Sequence, residues 1–572
     1  MIGRHPIPPR RTSLEQPVPP AVETGRSRLL IAGAMFAVAF AVVAGRLVDV
    51  TLFADGNEPR LAQSTGETSH HTDRADIVDR NGVLLATSLK TASLYADARV
   101  VLDADEAARK LATVLPDLDI AKVRRKLMSD RAFIWIRRHL TPRQQNAVNR
   151  LGIPGLDFLQ EERRVYPAGP LVSHIVGHTD IDNRGLVGIE RAFDRALGRK
   201  GTPLQLSIDL RVQHAMHAEL SSAMETFQAI GGAGIVMDVN SGEVLSLVSL
   251  PTFDPNKPMA IGKEARFNRA TLGVYEMGST FKIFNTAMAL DTGRITLGSG
   301  YDAKDPIRIA RFVIRDFHAK RRWLSVPEIF MYSSNIGSVK MALDVGPIAQ
   351  QEFMRRIGML RPSPVELPEV GSPLVPNRWR EINAMTISFG HGISVSPMQL
   401  VSGVASMVNG GVRRNPTLIH QPDGERPKGT RVISATTSEK IRRLMRLVVE
   451  NGTGKNAAAD GMLVGGKTGT AEKVVGRRYK TKALMSSFIG AFPMTAPRYV
   501  VFAMLDEPTG TKETFGYATG GWVAAPVVGK VIARIGPMLG VDPVDPASED
   551  IRRRMAVNIV TEKDGRRQLA SF

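Results

Sequence analysis

Hydrophobic and polar residues follow two different periodicities along this chain, and together they predict an α+β protein. Residues 233–249 form two apolar runs around an Asn-Ser-Gly turn, the pattern of a β-hairpin, and strands are also predicted near 486–492 and 499–505. Apolar residues recur at helical spacing in 210–227 and 524–535. Because strands lie before and after a long helix-rich segment, we expect an antiparallel sheet with a helical subdomain. Shorter elements are predicted as helices at 326–332, 400–408 and 438–449 and as an exposed strand at 307–314.

The first part of the chain has the pattern of a membrane anchor. Residues 1–28 hold six prolines and five arginines without apolar periodicity and predict a basic tail. Residues 29–50 are almost continuously apolar and predict one transmembrane helix, with Arg46 reaching the interface. The preceding arginines predict a cytoplasmic N-terminus. The alternative is a cleaved signal peptide, since Ala39–Ala41 resembles a cleavage site. Residues 51–72 are predicted to be a linker.

The segment that follows the linker predicts a separate α+β domain without recognisable chemistry. Residues 74–86 indicate two short strands around an Asn-Gly turn. Residues 104–152 are predicted to be helical, 152–202 to be turn-rich, and 204–210 to form a strand. We therefore expect a scaffold or interaction domain here. The predicted boundaries are 73–210 for this non-catalytic domain, 211–540 for a second domain and 541–572 for a loose C-terminal tail.

Composition narrows the possible functions. A hydrophobic content of 43% and a charged content of 23% are typical of globular proteins. The formal charge of +19 permits a nucleic-acid partner, but the basic residues are scattered and no nucleic-acid motif accompanies them, so none is predicted. The absence of cysteine excludes disulfides and thiol catalysis. Histidines at helical spacing lack the glutamate of a zinc motif, and no metal or cofactor is predicted.

Residues 273–290 carry the first candidate chemistry. Ser279 lies where an apolar helix is predicted to begin, and Lys282 follows three residues later. Side chains at this spacing share one helix face, so the lysine amine can reach the serine oxygen. A serine hydroxyl needs such a neighbouring base to act as a nucleophile. Taken alone, the same residues also fit an ordinary helix cap.

Two further motifs change this interpretation. Ser333 and Asn335 offer a hydroxyl and an amide that can relay a proton and hold a substrate amide. Lys467 and Thr468 can bind an anionic substrate end, and Gly469 leaves room for the substrate backbone. An S-x-x-K, S-x-N and K-T-G set in this order is the signature of penicillin-recognising serine enzymes.

The chain resembles the class B penicillin-binding proteins over nearly its whole length, most closely the division-specific peptidoglycan D,D-transpeptidases of Gram-negative bacteria. Met277 is one departure, because many members have proline there; it changes only the stiffness of the turn. The resemblance implies a penicillin-binding serine transpeptidase fold, preceded by a pedestal or dimerisation-type domain. Besides the three motifs, the resemblance rests on Arg74, Asp79–Gly82, Gly185–Glu190, Asp254–Asn256, Phe389–Gly392, Asp506–Pro508 and Gly520–Pro526.

The resemblance also implies a mechanism. Ser279 attacks the carbonyl between the terminal D-Ala residues of a stem peptide and forms an acyl-enzyme. Lys282 acts as base, with a pKa lowered by burial and by Lys467. Ser333 relays the proton to the leaving amine, and Asn335 holds the peptide backbone. An amine of a neighbouring stem peptide then takes the acyl group.

Substrate binding and partners are implied in the same way. Lys467 and Thr468 would bind the D-Ala carboxylate beside Gly469, and the N–H groups of Ser279 and Thr470 would form the oxyanion hole. The implied partners are peptidoglycan stem peptides, their lipid-linked precursor polymer, β-lactams, a polytopic glycosyltransferase and other divisome membrane proteins. The implied location is the inner membrane, with one span and a periplasmic catalytic domain.

Two alternatives stay open at this point. Residues 461–468 match the phosphate-loop pattern G-x-x-x-x-G-K-T, but no helix is predicted after them. The elongation-type relatives, which determine cell shape, share the three motifs but usually carry aspartate in the middle one and have a longer N-terminal module. Asn335 and the compact N-terminal region favour division.

Overall fold

The computed structural model describes residues 33–44, 74–199, 201–309, 312–422, 427–475, 478–560 and 567–570. Residues 33–44 are helical. Within the described ranges, no helix has both the length and the apolar character needed to cross a membrane. The remainder of the predicted anchor at 29–50, the basic tail and the linker lie outside these ranges. The membrane span therefore stays a prediction.

The N-terminal part of the described chain is built on a small twisted sheet of five strands. β3, β2, β1 and β7 follow one another in this sheet, β4 also pairs with β2, and β5 and β6 pair separately. The strands are β1 (Ile77–Val78), β2 (Leu84–Ala96), β3 (Ile134–Leu140), β4 (Leu156–Val165), β5 (His178–Thr179), β6 (Gly185–Val187) and β7 (Leu204–Gln205). The helices are α1 (Ala104–Val114), α2 (Ile120–Leu127), α3 (Pro142–Asn149), α4 (Ser173–Val176), α5 (Gly188–Ala192) and α6 (Asp194–Leu197), with a 3₁₀ turn at Gly169–Val172.

The sequence predictions for this region are partly wrong. The turn around Gly82 is confirmed, and α3 begins at a capping box on Thr141 within the segment predicted to be helical. However, β3 lies in a segment predicted to be helical, and β4 lies in one predicted to be turn-rich. Only one face of these strands packs on the small core, so charged residues occupy the other face and the apolar alternation is weak.

A buried ion network joins distant parts of this region. Glu190 is fully buried, and its two carboxylate oxygens each accept a hydrogen bond at 2.7 Å, from Arg74 Nε and Arg164 Nε. Arg164 also donates to the backbone oxygen of Ala75 at 2.9 Å. Because buried charges are costly unless they are paired, this network holds together residues that are far apart in sequence.

The second part of the chain has an antiparallel sheet of five strands in the order β16, β17, β18, β8 and β9. Residues of each strand alternate between two hydrophobic clusters, with Ile235 and Ile489 in one and Val236 and Phe488 in the other. The strands are β8 (Gly231–Asp238), β9 (Val244–Leu250), β10 (Gly300–Asp302), β11 (Ile307–Ile309), β12 (Phe312–Ile314), β13 (Trp323–Ser325), β14 (Val412–Arg413), β15 (Thr430–Arg431), β16 (Gly465–Val475), β17 (Arg478–Phe492) and β18 (Tyr499–Asp506).

Helices cover both faces of this sheet. Phe281, Phe284 and Leu400 belong to one hydrophobic cluster, and Leu220 and Ile532 belong to the other. The helices are α7 (Leu210–Thr226), α8 (Lys263–Arg266), α9 (Lys282–Asp291), α10 (Val326–Met331), α11 (Asn335–Val345), α12 (Pro347–Arg356), α13 (Glu381–Ile387), α14 (Pro397–Val408), α15 (Ala435–Glu450), α16 (Gly520–Val523) and α17 (Ala525–Met538), with 3₁₀ turns at Pro258–Ala260, Gly278–Phe281 and Lys455–Ala457. This α+β arrangement confirms the predicted antiparallel sheet with inserted helices.

Two predictions for this part need correction. The strand predicted at 307–314 is instead a hairpin of two short strands, β11 and β12. The segment 541–572, predicted to be a loose tail, contains α18 (Glu549–Met555) and the paired strands β19 (Val557–Val560) and β20 (Arg567–Ala570). Ile551, Met555 and Val557 are buried in the large core cluster. The sequence did not indicate this packing, because these few apolar residues are interspersed with arginines and Asp-Pro pairs.

Candidate active site

Ser279 lies on a tight turn between the sheet and a buried helix. The turn Gly278–Phe281 is 3₁₀, and α9 begins at Lys282, slightly later than the sequence predicted. Gly278 has φ +55°, and a Cβ there would lie 2.7 Å from the backbone oxygen of Thr470. Only glycine fits such a position without strain, so the backbone of the turn can lie directly against β16. Phe281 and Phe284 anchor the start of the helix in the core by an edge-to-face contact.

Lys282 connects the first two sequence motifs. Its side chain is buried, and its Nζ donates to Ser279 Oγ at 3.1 Å and to Ser333 Oγ at 3.0 Å. It also donates to Asn335 Oδ1 at 2.7 Å and to the backbone oxygen of Ser333 at 2.6 Å. The amine therefore lies between the candidate nucleophile and the candidate proton relay.

Ser333 has an unusual backbone conformation. Its φ of +60° lies in the left-handed region, which costs a residue other than glycine on the order of 1–3 kcal/mol. In this conformation both its carbonyl oxygen and its hydroxyl accept hydrogen bonds from Lys282. The strained turn between α10 and α11 therefore helps to fix the position of the Lys282 amine.

The third motif lies on β16. Lys467 is fully buried, and its Nζ donates to Ser333 Oγ at 3.0 Å and lies 3.4 Å from Thr468 Oγ1. Thr468 Oγ1 is 2.8 Å from Thr453 Oγ1, and Thr470 Oγ1 accepts a hydrogen bond from Gly520 N at 3.0 Å. These bonds orient hydroxyl groups along the strand edge beside the nucleophile turn.

Gly469 is closely surrounded. A Cβ at this position would lie 2.4 Å from Ser487 Oγ and 2.7 Å from the backbone oxygen of Met277. Any side chain would push β16 away from its neighbouring strand or from the nucleophile turn. Glycine is therefore required here for the strand and the turn to meet.

Burial changes the acidity of both lysines. Burial lowers the pKa of Lys282 well below its usual value, and the nearby Lys467 charge lowers it further, while the Asp316 carboxylate raises it. Burial lowers the pKa of Lys467 to about 7. Both shifts favour the neutral form of the amine, which is the form that can act as a base.

Asp316 is a site residue that sequence reasoning missed. Its Oδ1 accepts hydrogen bonds from the backbone N–H groups of Asn335 at 2.5 Å and Ile336 at 3.0 Å, and its Oδ2 accepts from Ser334 Oγ at 2.7 Å. The carboxylate therefore caps the start of α11, where a helix favours negative charge. Asp316 is distant in sequence from the helix it caps. No local capping pattern in the sequence could therefore identify it.

The structure brings together all of the sequence-predicted site residues. They are Ser279, Lys282, Ser333, Asn335, Lys467, Thr468, Gly469 and Thr470. The phosphate-loop alternative fails, because Lys467 and Thr468 lie within β16 and no helix begins there. Among the residues that the structure describes, no cluster of histidine, aspartate and glutamate side chains is placed to hold a metal ion. The arrangement can activate a serine hydroxyl with a buried amine and bind an anionic group beside it.

Comparison with known proteins agrees with this geometry. The family model for the penicillin binding protein transpeptidase domain matches residues 232–533, and the model for the penicillin-binding protein dimerisation domain matches residues 69–202. The probable peptidoglycan D,D-transpeptidase FtsI of Caulobacter vibrioides is 43% identical over 82% of this chain and 82% of its own length. The peptidoglycan D,D-transpeptidase FtsI of Escherichia coli K12 is 31% identical over 82% and 84%, respectively.

A solved structure shows the same fold. Penicillin binding protein 3 of Mycobacterium tuberculosis, determined in complex with aztreonam, has a TM-score of 0.66 over 83% of this chain and 98% of its own length. The two sequences are 23% identical, so this likeness concerns the fold alone. It extends over both the sheet domain and the region before it.

Proposed function

The chain belongs to the penicillin-binding proteins with a transpeptidase and a dimerisation domain, and we propose that it cross-links septal peptidoglycan as a serine D,D-transpeptidase. This proposal rests on three hydrogen bonds. Lys282 Nζ and Lys467 Nζ each donate to Ser333 Oγ, and Lys282 Nζ also donates to Ser279 Oγ. That arrangement supplies a nucleophile, a base and a proton relay for acyl transfer.

Acylation begins at Ser279. Its Oγ attacks the carbonyl between the two terminal D-Ala residues of a stem peptide, and the Oγ–C bond forms as the hydroxyl proton passes to neutral Lys282. The lowered pKa of Lys282 and its 3.1 Å contact to Ser279 Oγ support this role. Ser333 then takes this proton from Lys282, 3.0 Å away, and gives its own hydroxyl proton to the nitrogen of the departing D-Ala as the C–N bond breaks.

The K-T-G strand binds the substrate. Lys467 and Thr468 hold the terminal carboxylate, and Gly469 lets the substrate backbone approach β16. The backbone N–H groups of Ser279 and Thr470 stabilise the tetrahedral oxyanion, and such a hole contributes roughly 3–4 kcal/mol per donor. Asn335 contacts the peptide through its amide nitrogen once substrate displaces that group from the Arg315 carbonyl, its present acceptor at 2.9 Å. An amine of a neighbouring stem peptide then attacks the acyl carbon. Its proton passes to Lys282 and on to Ser279 Oγ as the Oγ–C bond breaks, which completes the cross-link and frees the serine.

The biological setting follows from the relatives. Two of them are named FtsI peptidoglycan D,D-transpeptidases, which supports a role in cell division. We place residues 29–50 as a single inner-membrane anchor, 73–210 as the pedestal domain and 211–540 as the periplasmic transpeptidase domain. The partners are stem peptides of the lipid-linked precursor polymer, β-lactams that mimic D-Ala-D-Ala, a polytopic glycosyltransferase and other divisome membrane proteins.

Depletion of the protein in its own host tests the division assignment. We expect long filamentous cells, because septal cross-linking stops while elongation continues. A plasmid copy should restore division, and a Ser279→Ala copy should not. Round cells on depletion would instead assign the protein to elongation, the second candidate.

Deletion of the predicted anchor tests the topology. A protein lacking residues 1–50 should fractionate as soluble and still react with penicillin, because all site residues lie after this segment. Full-length protein should remain with the membranes after a high-salt wash. If the shortened protein stays in the membrane fraction, the anchor assignment is wrong.

A further inference from the structure

The loop between α13 and α14 lies directly against the nucleophile turn. Tyr275 and Val395 exchange two backbone hydrogen bonds, at 2.9 Å and 3.0 Å, so the two segments run antiparallel. Further along, Gly278 N donates to the backbone oxygen of Gly390 at 3.2 Å. A Cβ on Gly390 would lie 2.1 Å from the Gly278 oxygen, so glycine is needed for this close approach. The residue that follows Gly390 is therefore held beside the nucleophile turn.

That residue is His391, and the loop is also fixed on its other side. Gly392 N donates to Glu276 Oε1 at 2.8 Å, and Glu276 belongs to the segment that leads into the nucleophile turn. His391 is partly exposed, and its ring lies beside the Phe389 ring, with the centroids 5.2 Å apart. An imidazole that solvent can reach is thus fixed next to the nucleophile.

The charges around His391 suit a proton acceptor. Burial lowers the pKa of its imidazole below the usual value, whereas the Glu276 carboxylate and a hydrogen bond to the Phe389 backbone raise it. Weaker effects come from the Lys282 charge, which lowers this pKa, and from the Glu472 carboxylate, which raises it. The pKa is lowered overall, so the imidazole is mainly neutral at pH 7 and can take up a proton. The influence of Lys282 also places the ring within electrostatic range of the catalytic amine.

The second half of the transfer reaction begins with an amine that carries one proton too many. At pH 7 an alkyl amine with a pKa near 10.4 is almost wholly an ammonium ion, and fewer than roughly one molecule in a thousand has a free lone pair. Lys282 takes the proton that the amine loses as it attacks the acyl carbon, and Lys467 holds the substrate carboxylate. A further base beside the acyl group would therefore raise the supply of reactive amine.

We propose that His391 is this base, and that it takes the extra proton of the acceptor ammonium group to generate the neutral amine that attacks the acyl-enzyme. This role rests on the proposed function, because it concerns its second step. One N–H bond of the ammonium group breaks and one N–H bond forms on the imidazole, whose positive charge Glu276 stabilises. The neutral amine then attacks and loses its second proton to Lys282. His391 returns its proton to solvent, to which it is partly exposed.

Two acceptor amines of different basicity separate this role from a structural one. Detergent-solubilised full-length protein is acylated with an N-acyl-D-alanine thioester, and the ratio of aminolysis to hydrolysis is measured. The acceptors are D-alanine, an ammonium ion at pH 7, and methoxyamine, which is neutral at this pH. In His391→Gln the D-alanine ratio should fall at least roughly tenfold at pH 7, and the deficit should shrink as the pH rises and D-alanine loses its proton unaided. The methoxyamine ratio should equal that of the parent.

Two further variants sharpen the test. Glu276→Gln keeps an oxygen for Gly392 N but loses the charge that stabilises the imidazolium, so its D-alanine ratio should fall by less than that of His391→Gln. His214→Gln, at an exposed position of α7, should behave as the parent.

Three results would overturn the role of His391. They are an unchanged D-alanine ratio in His391→Gln, an equal fall of the ratios for both amines, and a parent protein that uses methoxyamine but not D-alanine. Failure of penicillin to label Ser279, or of the acyl-enzyme to react with either amine, would instead contradict the proposed function itself.

Discussion

Lys282 and Lys467 donate to the same oxygen atom, since each Nζ lies 3.0 Å from Ser333 Oγ. Both side chains are buried, and two neighbouring ammonium groups away from water would repel each other strongly. Burial lowers the pKa of both amines, and the nearby Lys467 charge adds to the lowering at Lys282. Shared contact with one hydroxyl makes Ser333 the point through which protons can pass between the K-T-G strand and the nucleophile turn.

Asp316→Asn should change the pH dependence of acylation. The rate falls at low pH because Lys282 becomes protonated, and the Asp316 charge raises the pKa of Lys282. Removing that charge lowers this pKa, so the acidic limb of the pH profile should move to lower pH. The maximal rate should fall roughly 10- to 100-fold, because the cap on α11 loses a charge-assisted hydrogen bond.

Stopped-flow acylation by a chromogenic cephalosporin across pH measures this effect. Asp305→Asn is the control, since Asp305 is exposed, and its profile should match the parent. Asp316→Glu should restore part of the profile if the negative charge is what matters. An acidic limb that moves to higher pH in Asp316→Asn would contradict the assigned role.

Gly469→Ala should abolish acylation while the protein still folds. The added Cβ would lie 2.4 Å from Ser487 Oγ and 2.7 Å from the Met277 oxygen, so β16 and the nucleophile turn must separate. We expect at least a 100-fold lower rate of penicillin labelling, on the order of 3 kcal/mol. Gly262→Ala, where nothing lies within 4 Å of the new Cβ, should label normally. Equal labelling of the two variants would show that the close approach is unimportant.

Glu190→Gln should destabilise the N-terminal region. The substitution removes the charge that pairs Arg74 and Arg164, and breaking a buried pair costs roughly 3–5 kcal/mol. Thermal unfolding should therefore begin at a clearly lower temperature. Glu264→Gln is the matched control, since this side chain is 82% exposed and its ion pair with Arg269 contributes at most about 1 kcal/mol. An unchanged midpoint for Glu190→Gln would show that the network is not stabilising.

Periodicity predicted the transpeptidase sheet well but the N-terminal sheet poorly. The hairpin of β8 and β9 and the strand β18 are apolar on both faces because helices cover both sides of the sheet. β4 carries charged residues at Glu161–Arg164, because one face of the strand is largely open. Its sequence therefore lacks the alternation of apolar and polar residues that would have predicted a strand. The packed tail at 549–560 was missed because only a few apolar residues among many charges make its contacts.

The order of the three motifs in the sequence was enough to identify the residues of the site. It was not enough to predict the geometry of the site. The sequence placed Ser279 and Lys282 on one helix face through their spacing, and the structure shows their 3.1 Å contact. It gave no indication that Ser333 has a left-handed backbone or that Asp316 caps α11. Such features depend on tertiary contacts between segments far apart in sequence, and local patterns do not record them.

Covalent labelling of Ser279 tests the central claim most directly. Full-length protein should react with fluorescent penicillin, and mass spectrometry of its proteolytic peptides should find the penicilloyl group on Ser279. Ser279→Ala should not be labelled, although it should keep the unfolding midpoint of the parent. Undiminished labelling of Ser279→Ala, or a penicilloyl group on another residue, would contradict the account.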